Sequence, residues 1–154
     1  MPSDDTTTDL LPSDALARLS IDALERTAFV LADPCDDPDS LAPAELHAHI
    51  DFRGPEVGSV DLGATRAFAR NLAASLLGAD AADVTDAQSE EALRELANIL
   101  GGSVITRLGG TDCQFLLGLP QLGATAPDTR SSATQCTLDA EGERLDITCR
   151  RRAA

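Results

Sequence analysis

Residues 46–78, LHAHIDFRGPEVGSVDLGATRAFARNLAASLLG, change their hydrophobic period partway along, and that change decides the fold. Over the first eight positions the pattern repeats every two residues. Leu46, Ala48, Ile50 and Phe52 share one side while His47, His49, Asp51 and Arg53 share the other, the alternation of a strand buried on one face. Gly54-Pro55 turns the chain into EVGSVDL, a second strand and the hairpin partner of the first. From about Ala64 the period lengthens, with Phe68, Leu72 and Leu76 four apart, which predicts a helix to Leu77 with Gly78 in its C-terminal cap.

Upstream, Ile21, Leu24, Ala28 and Leu31 fall at helical spacing and predict a first helix from Ser13 to about Ala32. Ser13, Asp14 and Ser20 are its candidate N-caps, Leu16 and Leu19 are left open between this helix and a separate short turn, and DPCDDPDS ends it as a loop. Downstream, Thr85-x-x-Gln88 forms a capping box for a third helix, which Gly101-Gly102 is expected to end. The remainder reads as strands: SVITRL, DCQFLLGL, and a hairpin of TQCTL and RLDITC around Ala140-Glu141-Gly142. Cys113, Phe115, Leu117 and Leu119 take the apolar phase of one strand, and Thr134, Cys136, Leu138, Leu145, Ile147 and Cys149 that of the hairpin. This order predicts an α+β domain with helices packed on one face of an antiparallel or mixed sheet. Residues 1–12, polar and Pro-containing, are read as a disordered tail, 13–150 as the domain, and 151–154 as a short basic tail.

The chain has 154 residues and a mass of 16.1 kDa, which suits one core. Acidic residues outnumber basic ones 26 to 12, for a net charge of -14, and every basic residue is Arg. Nucleic-acid binding is disfavoured, because the one basic cluster, Arg150 to Arg152, reads as a solvated terminus. The lack of Lys excludes Schiff-base chemistry and a P-loop. With four Phe and neither Trp nor Tyr, the chain has little to stack on bases. The N-terminus MPSDDTTTDL carries no basic start and no apolar run, so neither a signal peptide nor a membrane span is expected and the protein reads as cytoplasmic. Four cysteines form no C-x-x-C pair; Cys113, Cys136 and Cys149 read as small buried hydrophobes and Cys35 as an unreactive thiol in an acidic loop, rather than as zinc ligands or a disulfide framework. His47-x-His49-x-Asp51 aligns three potential metal ligands on one strand face, but the wet side of a strand is the preferred account, and no metal site is expected.

The segment SEEALRELANILGG, residues 89–102, carries the most chemistry. Leu93, Leu96, Ala97 and Leu100 form its buried stripe, while Glu91, Glu95 and Asn98 project from the opposite side. Glu95 and Asn98 are i, i+3 neighbours, so a carboxylate and an amide can address one small target together. Glu91 and Glu95 are like charges at i, i+4, and Arg94 is within reach of Glu90 and Glu91. Taken alone, these residues describe a solvated helix face.

ELANILGG, followed by LLGLPQL, resembles the signature of the CheC/CheX/FliY chemotaxis phosphatases, in which an acidic residue and an Asn one helical turn apart precede a Pro after a strand. Those positions are Glu95, Asn98 and Pro120. HIDFRGPEVGSVDL running into ATRAFARNLAASLLG is similar to the family's sheet and the helix before its motif, so the resemblance spans roughly residues 14 to 150. One Glu-x-x-Asn is present, which points to the single-site CheX-like branch. The chain departs from the family at Glu91, where Asp or Ser is usual, and in the 21 residues between Asn98 and Pro120, one fewer than usual.

The resemblance implies a CheC/CheX-like α+β fold and a phosphatase that removes the phosphoryl group from the aspartyl phosphate of a CheY-like response regulator. Asn98 would orient the attacking water and Glu95 would pair with the regulator's Lys, while Glu91 and Pro120 would belong to the surface that meets the regulator. No cofactor of its own is implied; Mg²⁺ is expected on the regulator, and the phosphatase is expected to be a homodimer. The alternative is a non-catalytic CheX-like adaptor or scaffold that binds a response regulator or a motility complex.

Overall fold

In the computed structural model, residues 11–109, 114–123 and 132–151 are described. Their elements run α1 (Ser13–Ala28), β1 (Asp33–Pro34), β2 (Leu46–Arg53), β3 (Gly58–Ala64), α2 (Arg66–Leu77), α3 (Asp86–Gly109), β4 (Leu116–Leu117), β5 (Gln121–Leu122), β6 (Ser132–Ala140) and β7 (Glu143–Arg151). The strands form one sheet in the order β1-β6-β7-β3-β2-β4, with β5 also on β2, and every pairing is antiparallel. Its register lines up rows of like side chains. Ile50, Val60, Cys149 and Thr134 make one row, and Ala48, Leu62, Ile147 and Cys136 the next. These rows supply the sheet's share of the core, on which α1, α2 and α3 pack. The alternate rows are polar and tied together: Arg150 and Ser59 both donate to Asp61, at 3.2 and 3.1 Å, and Thr137 and Arg144 both donate to Asp146, at 2.7 and 3.0 Å.

The segment 46–78 folds as its periods require. Ala48, Ile50 and Phe52 are buried, Gly58 to Ala64 return against them, and Thr65 caps α2 by accepting the Phe68 N–H before Gly78 ends the helix at φ 66°. The β6–β7 hairpin turns on Glu141 and Gly142, both at positive φ (57° and 91°), the twist favoured in a two-residue hairpin loop. At the start of α3, the Thr85 and Gln88 side chains each accept the other's backbone N–H, at 3.1 and 2.9 Å. Thr85→Ala is expected to lower stability by about 1 kcal/mol, read as a shifted urea midpoint at constant slope.

Four expectations change. The first helix ends at Ala28, with Phe29 left-handed at φ 56°, so Leu31 leaves the helical face and is exposed, while Leu16 belongs to α1 itself and is fully buried. SVITRL is not a strand: α3 runs through Gly101-Gly102 to Gly109, because Val104 continues the buried stripe of Leu93, Leu96, Ala97 and Leu100 at helical spacing. DCQFLLGL narrows to two paired residues, Leu116 and Leu117; Phe115 and Leu117 pack on the core, but Leu119 is exposed and Cys113 lies outside the described residues. Order also reaches further at both ends than the proposed boundaries, since Leu11 is buried in the core and Arg151 closes β7. Arg150 and Arg151 are not a solvated tail; they pair with Asp61 and Glu56 at 3.2 and 2.8 Å. Residues 1–10 and 152–154 of the expected tails lie outside the described residues.

The cysteine reading holds for Cys149, which is buried, and in part for Cys136, which is half-buried against the core. Burial, reinforced by Asp61, pushes the Cys149 thiol up to about 12, and burial with Asp146 pushes Cys136 up to about 11. Both groups stay protonated in the folded state at a pH where the unfolded chain has released its thiol protons. Their contribution is therefore complete below the ordinary thiol value of 9.0 and is lost as pH rises towards 11 to 12. Melting temperature is expected to fall between pH 8.5 and 10.5, and Cys149→Ala to flatten that slope; an unchanged slope would contradict the assignment.

Candidate functional site

The site is built on α3, whose inward stripe of Ala92, Leu93, Leu96, Ala97, Leu100 and Val104 is fixed against α2 and the sheet. Gly101 sets how closely the helix approaches. A Cβ there would stand 2.8 Å from Ile50 Cγ2 and 3.1 Å from Leu117 Cδ2, so only a glycine lets α3 settle onto β2 at this level.

On the opposite side of this anchored helix, Glu91, Glu95 and Asn98 are all exposed. Glu95 and Asn98 make no hydrogen bond or ion pair among the described residues, so carboxylate and amide both face outward with their polar atoms available. Glu91 differs, because its carboxylate pairs with the Arg94 guanidinium one turn on, which answers part of the charge that would otherwise repel Glu95.

Pro120 lies on a separate support. The segment from β4 to β5 is clamped to the outer edge of β2 at both ends, by Gly118 N–H to the Asp51 carbonyl (2.8 Å) and Gly123 N–H to the His47 carbonyl (2.7 Å). Both short strands touch α3, and Leu117 meets it at Gly101, one turn beyond Asn98. Half-buried Pro120 thus stands between two clamped points, on an arch whose Leu117 reaches α3 at Gly101.

The His47-x-His49-x-Asp51 row does not converge. The His49 ring nitrogen Nδ1 is engaged with the Gly123 carbonyl at 2.8 Å, and among the described residues no three His, Cys, Asp or Glu side chains come close enough to hold a metal ion. Also among the described residues, no helix is long and apolar enough to cross a membrane. The feature missed in the sequence is the groove between α1 and α3, walled by Arg18, Leu19, Ile99, Ser103 and Arg107, with Gly102 on its α3 wall. The signal for it, Gly101-Gly102, has the look of a helix stop, which conceals that the two glycines face different surroundings.

The family described as chemotaxis phosphatase CheX matches residues 46–139, from β2 to the end of β6, which takes in α3 and Pro120. The chain belongs to the CheX family. Among solved structures it is similar to CheX from Desulfovibrio desulfuricans, at 15% identity and TM-score 0.73 over 91% of this chain and 98% of that one. It is also similar to the Borrelia burgdorferi CheX crystallised with CheY, BeF3 and Mg²⁺, at 16% identity and TM-score 0.72 over 94% and 100% of the two chains. FliY from Thermotoga maritima is more distant, at 11% identity and TM-score 0.55 over 92% and 89%. No curated protein sequence matches. The α+β architecture, helices on one face of an antiparallel sheet, is that of these CheX structures.

Proposed function

We propose that this CheX-family chain hydrolyses the aspartyl phosphate of a CheY-like response regulator, with Asn98 orienting the attacking water and Glu95 pairing with the regulator's active-site Lys. The observation that carries this is the pair itself: a carboxylate and an amide one turn apart, exposed, unpartnered among the described residues, and mounted on a helix fixed by a buried stripe. A groove-bound small molecule would want enclosure. A pair that protrudes suits insertion into a site on another protein.

The chemistry asks little more of this chain. Water adds to phosphorus as the bond to the aspartyl oxygen breaks, leaving a carboxylate that needs no proton at neutral pH, and inorganic phosphate. An amide can accept a hydrogen bond from the water through Oδ1 and donate through Nδ2, so Asn98 holds it in line, and positioning is a large share of phosphoryl-transfer catalysis. A carboxylate in that place would be repelled by the phosphoryl oxygens. Mg²⁺ belongs to the regulator in this scheme, which the presence of Mg²⁺ in the CheX–CheY–BeF3 complex from B. burgdorferi supports, and this chain contributes no cofactor. Glu91, held by Arg94, and Pro120 on its arch border the contact.

The proposal includes a cytoplasmic homodimer, as the family resemblance implies. Light scattering is expected to give about twice the 16.1 kDa of one chain, and a mass of one chain would remove the dimer. The pairing is tested by charge reversal. Glu95→Lys should weaken binding to a Mg²⁺–beryllofluoride-loaded regulator at least tenfold, and unchanged affinity would contradict the assigned role of Glu95.

A further inference from the structure

Gly102 has no structural reason to be glycine. Its φ is not left-handed, and a Cβ added to it would meet nothing within 4 Å. The contrast with Gly101 is direct, since there a Cβ would strike Ile50. Glycine within a helix is disfavoured against alanine, so a bare position in the middle of α3 weakens the helix and stabilises nothing in return.

What Gly102 does is lower the surface at one place. It lies four residues after Asn98 and seven after Glu95, half-buried on the same side of α3. It also lies on the wall of the groove between α1 and α3, so the groove opens directly onto the turn that carries Asn98. Within the stripe, the Thr106 hydroxyl is turned back onto the Gly102 carbonyl at 2.8 Å. Arg18 and Arg107, in the groove walls, make no ion pair among the described residues. The groove walls as a whole carry Arg18, Arg26 and Arg107 against Asp14 and Asp22, a small positive excess in a chain of net charge -14, beside the proposed point of contact with a phosphorylated partner.

We infer that Gly102 is a clearance position: its missing side chain lets the phosphorylated regulator lie against the bare backbone of α3, with the loop beside the phosphorylated Asp entering the α1–α3 groove. This rests on the proposed function and adds to it a positioning residue that touches neither water nor phosphate. Any side chain at 102 weakens docking, while a regulator that does dock still reaches Asn98, so the loss falls on KM rather than on kcat.

The test is a pair of substitutions in the full chain, Gly102→Ala and Gly102→Leu, read by thermal melting, by affinity for a Mg²⁺–beryllofluoride-loaded regulator, and by KM and kcat for the phosphorylated one. Both variants are expected to melt at or a few degrees above the wild type, since the helix gains and a Cβ at 102 meets nothing within 4 Å. Affinity is expected to fall about threefold for Ala and at least tenfold for Leu, with KM rising in step and kcat changing less than twofold. A Leu variant that binds as the wild type does overturns the clearance role, and a drop in melting temperature for both variants makes Gly102 structural instead. If the wild type binds but does not hydrolyse, the phosphatase reading fails while the affinities still decide the role of Gly102. If the wild type binds none of the host's regulators, both fall.

Discussion

Asn98→Ala is expected to reduce the acceleration of regulator dephosphorylation by about 10²-fold or more while leaving the protein as stable as before. The loss follows from the role, because removing the amide leaves the water unheld, and misplacing a reacting group by about 1 Å can cost about 10²-fold. The unchanged stability follows from position. Asn98 is exposed, its side chain bonds to no other described residue, and its replacement by the best helix former removes nothing from the core. Binding of the beryllofluoride-loaded regulator should survive, since Glu95 remains. Asn98→Asp sharpens the point: it keeps the shape and adds a charge that the phosphoryl oxygens repel, so it should fail almost as completely. An Asp variant with wild-type kcat would contradict the water-holding role.

Phe52→Ala is expected to be the most destabilising single change, at about 3–5 kcal/mol, a large share of the roughly 5–15 kcal/mol that folds a domain. The ring is 1% exposed, sits at the end of β2, and meets Phe115 edge-on with centroids 5.9 Å apart. Its strand neighbours are Gly58 on one side and Leu117 on the other, and Gly58 is glycine partly because a Cβ there would come within 2.8 Å of Phe52 Cζ. A cavity here undermines β4 and, with it, the arch that holds Pro120 beside α3. Urea denaturation should show the midpoint falling steeply, and a loss under about 1 kcal/mol would mean that the corner between β2, β3 and β4 repacks without the ring.

The fold was most legible where one physical signal acted alone. In residues 46–78 the switch from period two to period four gave β2, β3 and α2 together, and Thr85 with Gln88 marked the start of α3. It was least legible where two signals opposed each other. Gly101-Gly102 and the β-branched run after it argue locally for a stop and a strand, but the tertiary demand of Ile50 for a bare helix face at 101, and of the core for Val104, keeps α3 helical to Gly109. Likewise DCQFLLGL reads as one apolar strand, whereas the backbone bonds from Gly118 and Gly123 to β2 bend the chain after Leu117 into an arch.

The candidate site divides in the same way. That Glu91, Glu95 and Asn98 share the outward side of one helix follows from their spacing, and the family signature then singles out Glu95, Asn98 and Pro120. The groove beside them could not be read, because it depends on how α1 lies against α3, a contact between residues about 80 apart in the chain. Nor could Glu91's engagement with Arg94 be told from a pairing of Glu90 with the same guanidinium, since both lie within helical reach.

The central claim, that this chain hydrolyses an aspartyl phosphate on a response regulator, is tested most directly by the decay rate of a phosphorylated CheY-like regulator, in Mg²⁺, against increasing substoichiometric amounts of the chain. The predicted result is a rate that rises in proportion to the chain added, with each molecule turning over many regulators. A decay that stays at the regulator's own rate at every concentration, for each of the host's regulators, would contradict it.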